Sequence, residues 1–424
     1  MLAASPGAGP CLTIPGQTSK VRTPHARHFS LSAMTDSFSL TSKIPEDDTV
    51  KYRPYGKFEE KISQLGFGAM RLPKDEDGNL DMDQSVKVMR HAYDMGVNYF
   101  DTAYGYKGGD SEKAVGAALA DIRDEVYIST KIPIHASYAD VSRWRELMEE
   151  QLERLQTDYI DFWNFHDLKY DDYKNTVLGD DGLLKVAQKA KEDGIIRHIC
   201  LSCHAEPPRM MEMVQSGHFD GITLQYNLLD RANTDVIDYC RENGMGVIVM
   251  GPVGGGQLAR PSKRFAQLQP EYVSSLPELA IRYVLANNGV TCALSGMNSM
   301  KMVQENCEAA DSTKPLSDSE VARIEEVTRE MDRLAELYCT GCGYCMPCPH
   351  GVAIPKNFKL MNQYRAYGFE RAARKGYSEM PTRDEADEGL RASECVECGA
   401  CLDKCPQDIQ IPDQLKEVDE TLSE

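Results

Sequence analysis

The chain has 424 residues, and its 47 lysine and arginine residues against 66 aspartate and glutamate residues give a formal net charge of −19 at pH 7. This acidic balance, without a concentrated basic cluster, excludes nucleic acid as an expected partner. The chain also lacks the run of about 18 apolar residues that a membrane-spanning helix needs. Hydrophobic residues make up 42% of it, which predicts a water-soluble protein with one large domain and a smaller one.

Residues 1–45 differ in composition from the rest of the chain. Lys20, Arg22 and Arg27 precede the first acidic residue, Asp36, and serine, proline, glycine and alanine are frequent. A segment of this composition cannot bury a core. We interpret it as a disordered tail or an over-extended reading frame, with an organellar transit peptide as the alternative. No compact export signal is present, and we expect a cytoplasmic protein.

Short β-rich runs alternate with helical patterns from about residue 60 to residue 310. A repeat of roughly 25 to 35 residues of this kind is typical of βα units. Eight units predict a closed (β/α)8 TIM barrel over residues 46–315. The predicted strands, in chain order, are QLGFGAM, VNYFDTA, VYISTKI, YIDFWNF, IRHICLS, GITLQYN, GVIVMGP and TCALSGM.

Four side chains with acid–base chemistry follow or end the second, third and fourth predicted strands: Asp101 and Tyr106, then Lys131, then His166. The carboxyl ends of barrel strands meet at one mouth, where barrel enzymes carry their chemistry. A charged Lys131 would favour the phenolate form of Tyr106. Asp101 would keep Lys131 charged, and a neutral His166 would bind a carbonyl oxygen. Each residue alone has an ordinary structural explanation, but together they predict a proton-transfer site.

At these residues the chain resembles the aldo/keto reductase superfamily, over roughly residues 58 to 310. The motifs that carry the resemblance are LGFGAMRLP, GVNYFDTAYGY, ISTKI, YIDFWNFH, LQYNLLDR and LSGMNSMKMVQEN. The resemblance implies a barrel that binds NADP(H) across its mouth and reduces carbonyls or oxidises alcohols. It implies a catalytic tetrad of Asp101, Tyr106, Lys131 and His166. Because the family places its tyrosine five residues after the aspartate, it selects Tyr106 over Tyr104.

The same resemblance implies a set of nucleotide contacts. Residues that would line the nicotinamide side are Ser202, Gln225, Tyr226 and Asn227. Residues that would hold the adenosine end are Ser295, Gly296, Asn298, Glu305 and Asn306. In GPVGGGQ, Gly251 and Gly254 would let backbone amides approach the pyrophosphate, since glycine permits close contact and unusual φ angles. This run does not fit the Rossmann fingerprint.

The chain departs from the family pattern at three places. Met302 stands where the family often has arginine or glutamine near the 2′-phosphate, and Gly251 and Gly254 replace charged residues common in related sequences. NADP is therefore favoured over NAD by the resemblance and not by phosphate ligands. The tripeptide SCH at residues 202–204 replaces the usual Ser-Asn pair. It resembles a branch of the superfamily that carries a C-terminal iron–sulfur domain.

Eight of the 14 cysteines lie in two runs near the C-terminus, CTGCGYCMPCP and CVECGACLDKCP. In a long chain without an export signal, such runs indicate thiolate ligands and not disulfides. The second run has the C-x2-C-x2-C-x3-C-P form of a bacterial ferredoxin. The spacer between the runs is helix-rich and polar. We predict a small, mostly helical ferredoxin-type domain over residues 316–424.

Three closely spaced cysteines bind one face of a [4Fe-4S] cluster, and the fourth ligand comes from the other run. Two runs of four cysteines therefore predict two clusters. The first would be held by Cys339, Cys342, Cys345 and Cys405. The second would be held by Cys395, Cys398, Cys401 and Cys348. A zinc site with four cysteine ligands is the alternative, although two runs of four cysteines exceed what a zinc ribbon requires.

The two predicted redox centres transfer different numbers of electrons in one step. A nicotinamide transfers two electrons as a hydride, and an iron–sulfur cluster transfers one. The leading hypothesis is an NAD(P)-linked aldo/keto reductase-like oxidoreductase of small carbonyls or alcohols, whose iron–sulfur domain exchanges electrons with a redox partner protein. One alternative is a nonenzymatic electron carrier or redox sensor with the barrel as scaffold. Another is a flavin-dependent nicotinamide:ferredoxin oxidoreductase, since a flavin joins two-electron and one-electron steps, although no flavin signature is present.

Overall fold

The structure is a computed structural model of the chain. It describes residues 51–134, 143–311, 313–336, 339, 343–405 and 409–423. The N-terminal segment interpreted above, residues 1–45, lies outside the described residues, and so does Cys342. Among the residues that are described, no helix combines the length and the apolar character that crossing a membrane requires.

A short antiparallel hairpin, not predicted from the sequence, precedes the barrel and covers the amino-terminal end of its strands. Its strands are β1 (Tyr52–Pro54) and β2 (Lys61–Ser63). Tyr55, between them, is buried, and its hydroxyl lies 3.3 Å from Cys200 Sγ inside the barrel. A Cβ atom on Gly246 would lie 2.3 Å from the Tyr55 ring. Glycine is therefore required where this ring fills the barrel floor.

Eight parallel strands close into a barrel, and each coincides with a run predicted from the sequence. They are β3 (Leu65–Gly68), β4 (Tyr99–Asp101), β5 (Tyr127–Pro133), β6 (Ile160–His166), β7 (Ile196–Ser202), β8 (Gly221–Gln225), β9 (Gly246–Met250) and β10 (Cys292–Ser295). Consecutive strands pair in parallel, and β10 closes the barrel on β3. The predicted (β/α)8 fold is confirmed. Because the strands are parallel, the carboxyl ends of all eight lie at the same end of the barrel, its mouth.

Helices surround the barrel and bury their apolar faces against it. They are α1 (Met82–Asp94), α2 (Asp110–Leu119), α3 (Trp144–Leu155), α4 (Tyr170–Asp172), α5 (Leu183–Glu192), α6 (Pro207–Val214), α7 (Thr234–Glu242), α8 (Lys263–Ala266), α9 (Leu276–Ala286) and α10 (Met300–Ala310). Local sequence signals start several of them. Ser275, for example, accepts a hydrogen bond from the Glu278 backbone N–H at 3.2 Å and so caps α9.

The C-terminal region is helical, as predicted, and has a core of its own. Its helices are α11 (Asp318–Glu336), α12 (Ile354–Arg365), α13 (Glu370–Ser378) and α14 (Ile411–Leu422). A reciprocal capping box starts α11, because Ser317 and Glu320 each accept a hydrogen bond from the other's backbone N–H. Buried residues that form the second core include Val352, Phe358, Met361, Tyr377 and Leu415.

The segment between α12 and α13 contacts the barrel. Ser262, directly before α8, donates to the Tyr367 backbone oxygen at 2.8 Å. Phe369 stacks on Phe265 of α8, with ring centroids 5.7 Å apart and planes 22° apart. Asp332 of α11 accepts from the Tyr367 hydroxyl at 3.1 Å and from Arg231 at 2.5 Å. The helical region is therefore attached to the loops that follow β8 and β9.

Candidate functional site

A buried ion pair lies at the barrel mouth, between the ends of β4 and β5. Lys131 Nζ donates to Asp101 Oδ2 at 2.5 Å and to the Thr102 backbone oxygen at 2.6 Å. The side chains of Lys131 and Asp101 are only 3% and 6% exposed. Ser129 Oγ donates to the other carboxylate oxygen at 2.8 Å. Because both carboxylate oxygens are held, the ammonium group has one defined position.

Tyr106 and His166 lie beside this pair. Tyr106 begins the helical turn Tyr106–Gly109 after β4, and its ring centroid lies 5.2 Å from Lys131 Nζ. His166 ends β6, and its ring meets the Tyr106 ring edge-on, with centroids 5.6 Å apart. Tyr104 instead donates to Glu150 of α3 at 2.6 Å. The structure thus brings together the four residues that the sequence selected and turns Tyr104 toward an outer helix.

Burial and neighbouring charges shift the pKa values of Lys131 and His166. Burial lowers the pKa of Lys131, but the charge of Asp101 and its hydrogen bond to Nζ raise it, and the pKa lies above its usual value. Burial, reinforced by the Lys131 charge, lowers the pKa of His166 to about 3. The ammonium is therefore charged and the imidazole neutral near pH 7.

Two opposing effects act on Tyr106. The charge of Lys131 lowers the pKa of Tyr106, as expected, but burial and the nearby Asp101 together outweigh it. The net pKa of Tyr106 lies above the usual 10.0. At neutral pH Tyr106 keeps its proton, which makes it a proton donor with a cation beside it.

Sequence reasoning missed two residues that hold the group in place. Ser129 binds Asp101, and Asn164 Nδ2 donates to Ser129 Oγ at 3.1 Å. Ser129 precedes Lys131 by two residues on β5, and Asn164 precedes His166 by two on β6. Alternate residues of a strand share a face. The period of two along each strand is the signal that identifies them.

The predicted nicotinamide-side residues are partly brought together. Ser202 is buried at the end of β7, and Gln225 ends β8. A Cβ atom on Gly251 would lie 2.7 Å from Gln225 Oε1, so glycine lets the amide lie against the loop after β9. Asn227 donates to the Gly251 backbone oxygen at 3.0 Å and accepts from Leu229 N–H at 2.8 Å. Both ends of the Asn227 amide therefore join backbone segments of the mouth.

Tyr226 lies apart from these residues, against the helices outside the barrel. Its side chain is buried and stacks on Tyr283 of α9, with ring centroids 5.9 Å apart. Its hydroxyl lies 3.4 Å from the Tyr283 hydroxyl, which donates to Glu325 of α11. Successive residues of an extended strand point to opposite sides. Since Gln225 points to the mouth, Tyr226 points to the helices.

The predicted adenosine-end residues follow β10 and differ in exposure. Asn306 donates to Ser295 Oγ at 2.9 Å, and both are buried. Asn298 and Glu305 are exposed, and Glu305 lies 3.6 Å from Lys301. Gly296 lies against the side chain of Arg71. Ser295, Gly296 and Asn306 thus form one group at the strand end, while Asn298 and Glu305 face solvent.

The C-terminal region contains a partly open cavity lined by cysteines of both runs. Cys348 of the first run meets Cys395, Cys398 and Cys401 of the second there. Burial is the largest cause of the raised pKa of Cys395, and the Cys348 and Cys398 thiols raise it further. These are the four cysteines that the sequence analysis assigned to the second cluster. Four thiols around one space fit the donor set of an iron–sulfur cluster.

The other predicted cysteine set is described only in part. Cys345 is buried, Cys339 and Cys405 are half-buried, and Cys342 lies outside the described residues. Asn362 of α12 donates to the Cys339 backbone oxygen at 3.3 Å. Within the described ranges, no three His, Cys, Asp or Glu side chains are arranged to hold a single metal ion.

Comparison with known proteins agrees with both parts. Residues 64–329 match the model of the Aldo/keto reductase family, and residues 338–409 match that of the 4Fe-4S dicluster domain. L-galactose dehydrogenase of Arabidopsis thaliana is 29% identical over 291 residues, which cover 63% of this chain and 90% of that protein. NADH-specific methylglyoxal reductase of Escherichia coli is 27% identical over 332 residues, which cover 67% of this chain and all of that protein.

Among solved structures, the holo form of an aldo-keto reductase from Bacillus halodurans superposes with a TM-score of 0.57 at 28% identity. The match covers 65% of this chain and 96% of that one. The matched family residues extend over more than half of the chain and contain the whole barrel with its strand-end group. The chain therefore belongs to the aldo/keto reductase family of oxidoreductases and carries in addition a 4Fe-4S dicluster domain.

Proposed function

We propose that the barrel of this protein, residues 46–315, catalyses NAD(P)-linked interconversion of a small carbonyl compound and its alcohol. We propose further that residues 316–424 hold two [4Fe-4S] clusters that exchange electrons with a redox partner protein. The observation that carries the barrel's role is the buried Lys131–Asp101 pair, 5.2 Å from the Tyr106 ring, with a neutral His166 at its side.

The reduction is balanced as carbonyl plus reduced nicotinamide plus one proton, which gives alcohol plus oxidised nicotinamide. When bound, the nicotinamide supplies the hydride that adds to the carbonyl carbon. Tyr106 donates its phenolic proton to the carbonyl oxygen. Lys131 stabilises the phenolate that remains, and Asp101 holds Lys131 in position. His166 binds the carbonyl oxygen as a neutral hydrogen-bond donor.

The residues present fit a nicotinamide dinucleotide. Ser202 and Gln225 are proposed to hold the nicotinamide side, and Ser295, Gly296 and Asn306 the adenosine end. His166 Nδ1 is buried and has no partner among the described residues, as fits a mouth that a bound molecule completes. Asn298 and Glu305 are exposed and remain available to the nucleotide. NADP is favoured by the family resemblance, whereas one named relative is NADH-specific.

A small polar substrate is supported by the relatives and by the site. The two named relatives are called after a sugar and a small dicarbonyl. In the proposed site the neutral imidazole of His166 and the phenol of Tyr106 both bind the carbonyl oxygen. The substrate therefore does not need a charged group. A barrel kept only as scaffold would not need a buried charge pair at its mouth, because burying two charges without a use costs stability.

Two clusters are supported by the description of the matched domain and by the cavity. The second set, Cys348 with Cys395, Cys398 and Cys401, lines that cavity. The first set is proposed to be Cys339, Cys342, Cys345 and Cys405. Ligands shared between the runs would place both clusters within one small helical region, so that electrons pass between them one at a time.

The test uses full-length protein purified without air. We expect it to bind NADPH or NADH, measured by fluorescence, and to oxidise it with methylglyoxal or 4-nitrobenzaldehyde, followed at 340 nm. Tyr106→Phe should lower this rate by about 100- to 10,000-fold and leave the iron content unchanged. The matched control, Tyr104→Phe, should keep most of the rate. Full activity in Tyr106→Phe, or failure of both nucleotides to bind, would contradict the proposal.

A further inference from the structure

Arg154, on α3, contacts both ends of the loop that carries Tyr106. This loop follows β4 and comprises residues 104–109. Arg154 Cζ lies 4.3 Å from the centroid of the Tyr104 ring, and Nη1 donates to the Tyr104 backbone oxygen at 3.3 Å. At the other end of the loop, a Cβ atom on Gly109 would lie 2.9 Å from Arg154 Nη1. One guanidinium group therefore bridges the two ends of the loop.

The middle of this loop is open to solvent and strained. Lys107 has a φ angle of 53°, in the left-handed region that residues with a side chain adopt only at a cost in free energy. Lys107 and Gly108 are exposed, and a Cβ atom on Gly105 or Gly108 would meet no other atom within 4 Å. Because such a segment receives little support from outside, its conformation depends on how its ends are held.

A buried carboxylate connects Arg154 to the strand that carries Lys131. Glu112 of α2 is completely buried, and its Oε2 lies 3.2 Å from Arg154 Nη1. The other oxygen, Oε1, accepts from Thr130 Oγ1 at 2.6 Å and from Gln151 Nε2 at 2.8 Å. Thr130 directly precedes Lys131 on β5. The loop of Tyr106 and the strand of Lys131 are thus joined through one ion pair.

We propose that Arg154 is a positioning residue for carbonyl reduction, which rests on the proposed function. It holds the Tyr106 loop at a fixed distance from Lys131, since it contacts the loop directly and the strand through Glu112. Proton donation by Tyr106 requires this placement, because a misplacement of about 1 Å can cost about 100-fold in rate. Apolar residues could join α2 and α3 as well as a buried charge pair does, so the pair is better explained by the loop that it fixes.

The experiment measures kcat for methylglyoxal or 4-nitrobenzaldehyde and the dissociation constant of NADPH, both with the holoprotein. Arg154→Met removes the guanidinium and keeps a long side chain. We expect kcat to fall by about 10- to 100-fold while the dissociation constant stays unchanged. Arg154→Lys keeps a charge for Glu112 and should regain part of the rate. Arg145→Met, which removes an exposed arginine of the same helix, should have the kcat of the wild type.

A double variant and a pH profile separate positioning from stability. Arg154→Met leaves the Glu112 carboxylate buried and unpaired, whereas the double variant Glu112→Gln, Arg154→Met removes both charges. Its kcat should be lowered by a similar factor. Against the charge of Lys131, burial raises the pKa of Tyr106 above 10.0. A loosened loop exposes Tyr106 and returns this pKa toward 10.0, so the alkaline fall in rate should begin at lower pH in both variants.

A role of Arg154 in stability alone would lower the unfolding temperature and leave kcat and the pH profile unchanged. Wild-type kcat in the folded single and double variants would therefore overturn the proposal, and so would an unchanged alkaline limb. A loss that appears only as weaker NADPH binding would overturn it as well. If the wild type reduces no carbonyl, the proposed function fails, whereas an active wild type with equally active Arg154 variants contradicts the positioning role alone.

Discussion

The barrel mouth and the cysteine region are assembled in different ways. At the mouth, Lys131 and Asp101 hold each other through a 2.5 Å contact, and Ser129 completes the carboxylate's bonding. In the cysteine region, four thiols surround a cavity, and one of them, Cys398, is exposed. A proton-transfer site is preformed by its own hydrogen bonds, whereas a cluster site is completed by the bonds to its metal. We therefore expect the two centres to respond separately to mutation.

Among changes to the buried ion pair, the largest expected effect is at Lys131. Lys131→Met removes the charge that stabilises the Tyr106 phenolate, so the rate of carbonyl reduction should fall by about 100-fold or more. The measurement is the NADPH or NADH oxidation rate at saturating substrate. The buried carboxylate is left unpaired, and the double variant Asp101→Asn, Lys131→Met is the control that removes both charges. A near-native rate in either folded variant would contradict the assignment.

Replacing cysteine ligands tests whether the cluster region can be changed without affecting the barrel mouth. Cys348→Ser and Cys401→Ser should each lose the same cluster, about four of about eight irons per chain. Their double variant should lose no more iron than either single variant, and NAD(P)-linked carbonyl reduction should persist in all three. Cys240→Ala, which changes a buried thiol of α7 outside both runs, should keep all the iron.

Loss of all iron from the Cys348→Ser, Cys401→Ser double variant would contradict the shared set. Combining Cys345→Ser with Cys401→Ser should instead remove both clusters, because these two cysteines are assigned to different sets. Iron analysis and the cluster absorption near 400 nm measure both outcomes. If carbonyl reduction disappears together with one cluster, the two centres are not independent.

The pH dependence follows from the pKa shifts at the mouth. His166, with its pKa lowered to about 3, stays neutral well below its usual value near 6.5. Tyr106, with its pKa raised, keeps its proton through the neutral range. The reduction rate should therefore vary little between about pH 5.5 and 8.5 and fall only when Tyr106 deprotonates at higher pH. An acid limb near pH 6.5 that His166→Gln abolishes would show that His166 becomes charged.

The smallest expected effect concerns the attachment of the helical region to the barrel. Asp332 pairs with Arg231 and accepts from Tyr367, and its side chain is one-third exposed. Asp332→Asn should lower the free energy of unfolding by about 1 kcal/mol or less and hardly change the reduction rate. Asp238→Asn, at an exposed pair within α7, is the control. Thermal or urea unfolding measures the difference.

The eight barrel strands could be predicted because each is a continuous apolar run between helical patterns. The hairpin β1–β2 could not, since its strands have three residues each and Tyr55 owes its burial to the barrel floor. The grouping of Asp101, Lys131 and His166 was predictable because strand ends meet at one mouth.

Other features of the site depend on tertiary packing. Tyr226 lies apart from the other predicted nicotinamide-side residues because a step of one residue along a strand reverses the side chain's direction, which the motif alone does not show. The net direction of the Tyr106 pKa shift depends on how completely packing buries the ring, which the sequence does not show. Sequence motifs and the two-residue period of a strand locate the strand ends. The direction and burial of the neighbouring side chains depend on tertiary packing.

Transfer of deuterium tests the account most directly. Full-length protein would be given methylglyoxal or 4-nitrobenzaldehyde with NADPH or NADH carrying deuterium at both positions of the reduced ring carbon, and the alcohol would be analysed by mass spectrometry. We predict one deuterium on the former carbonyl carbon and almost no alcohol from Tyr106→Phe in the same time. Alcohol without deuterium, or no alcohol from either nucleotide, would contradict a barrel that reduces carbonyls by hydride transfer.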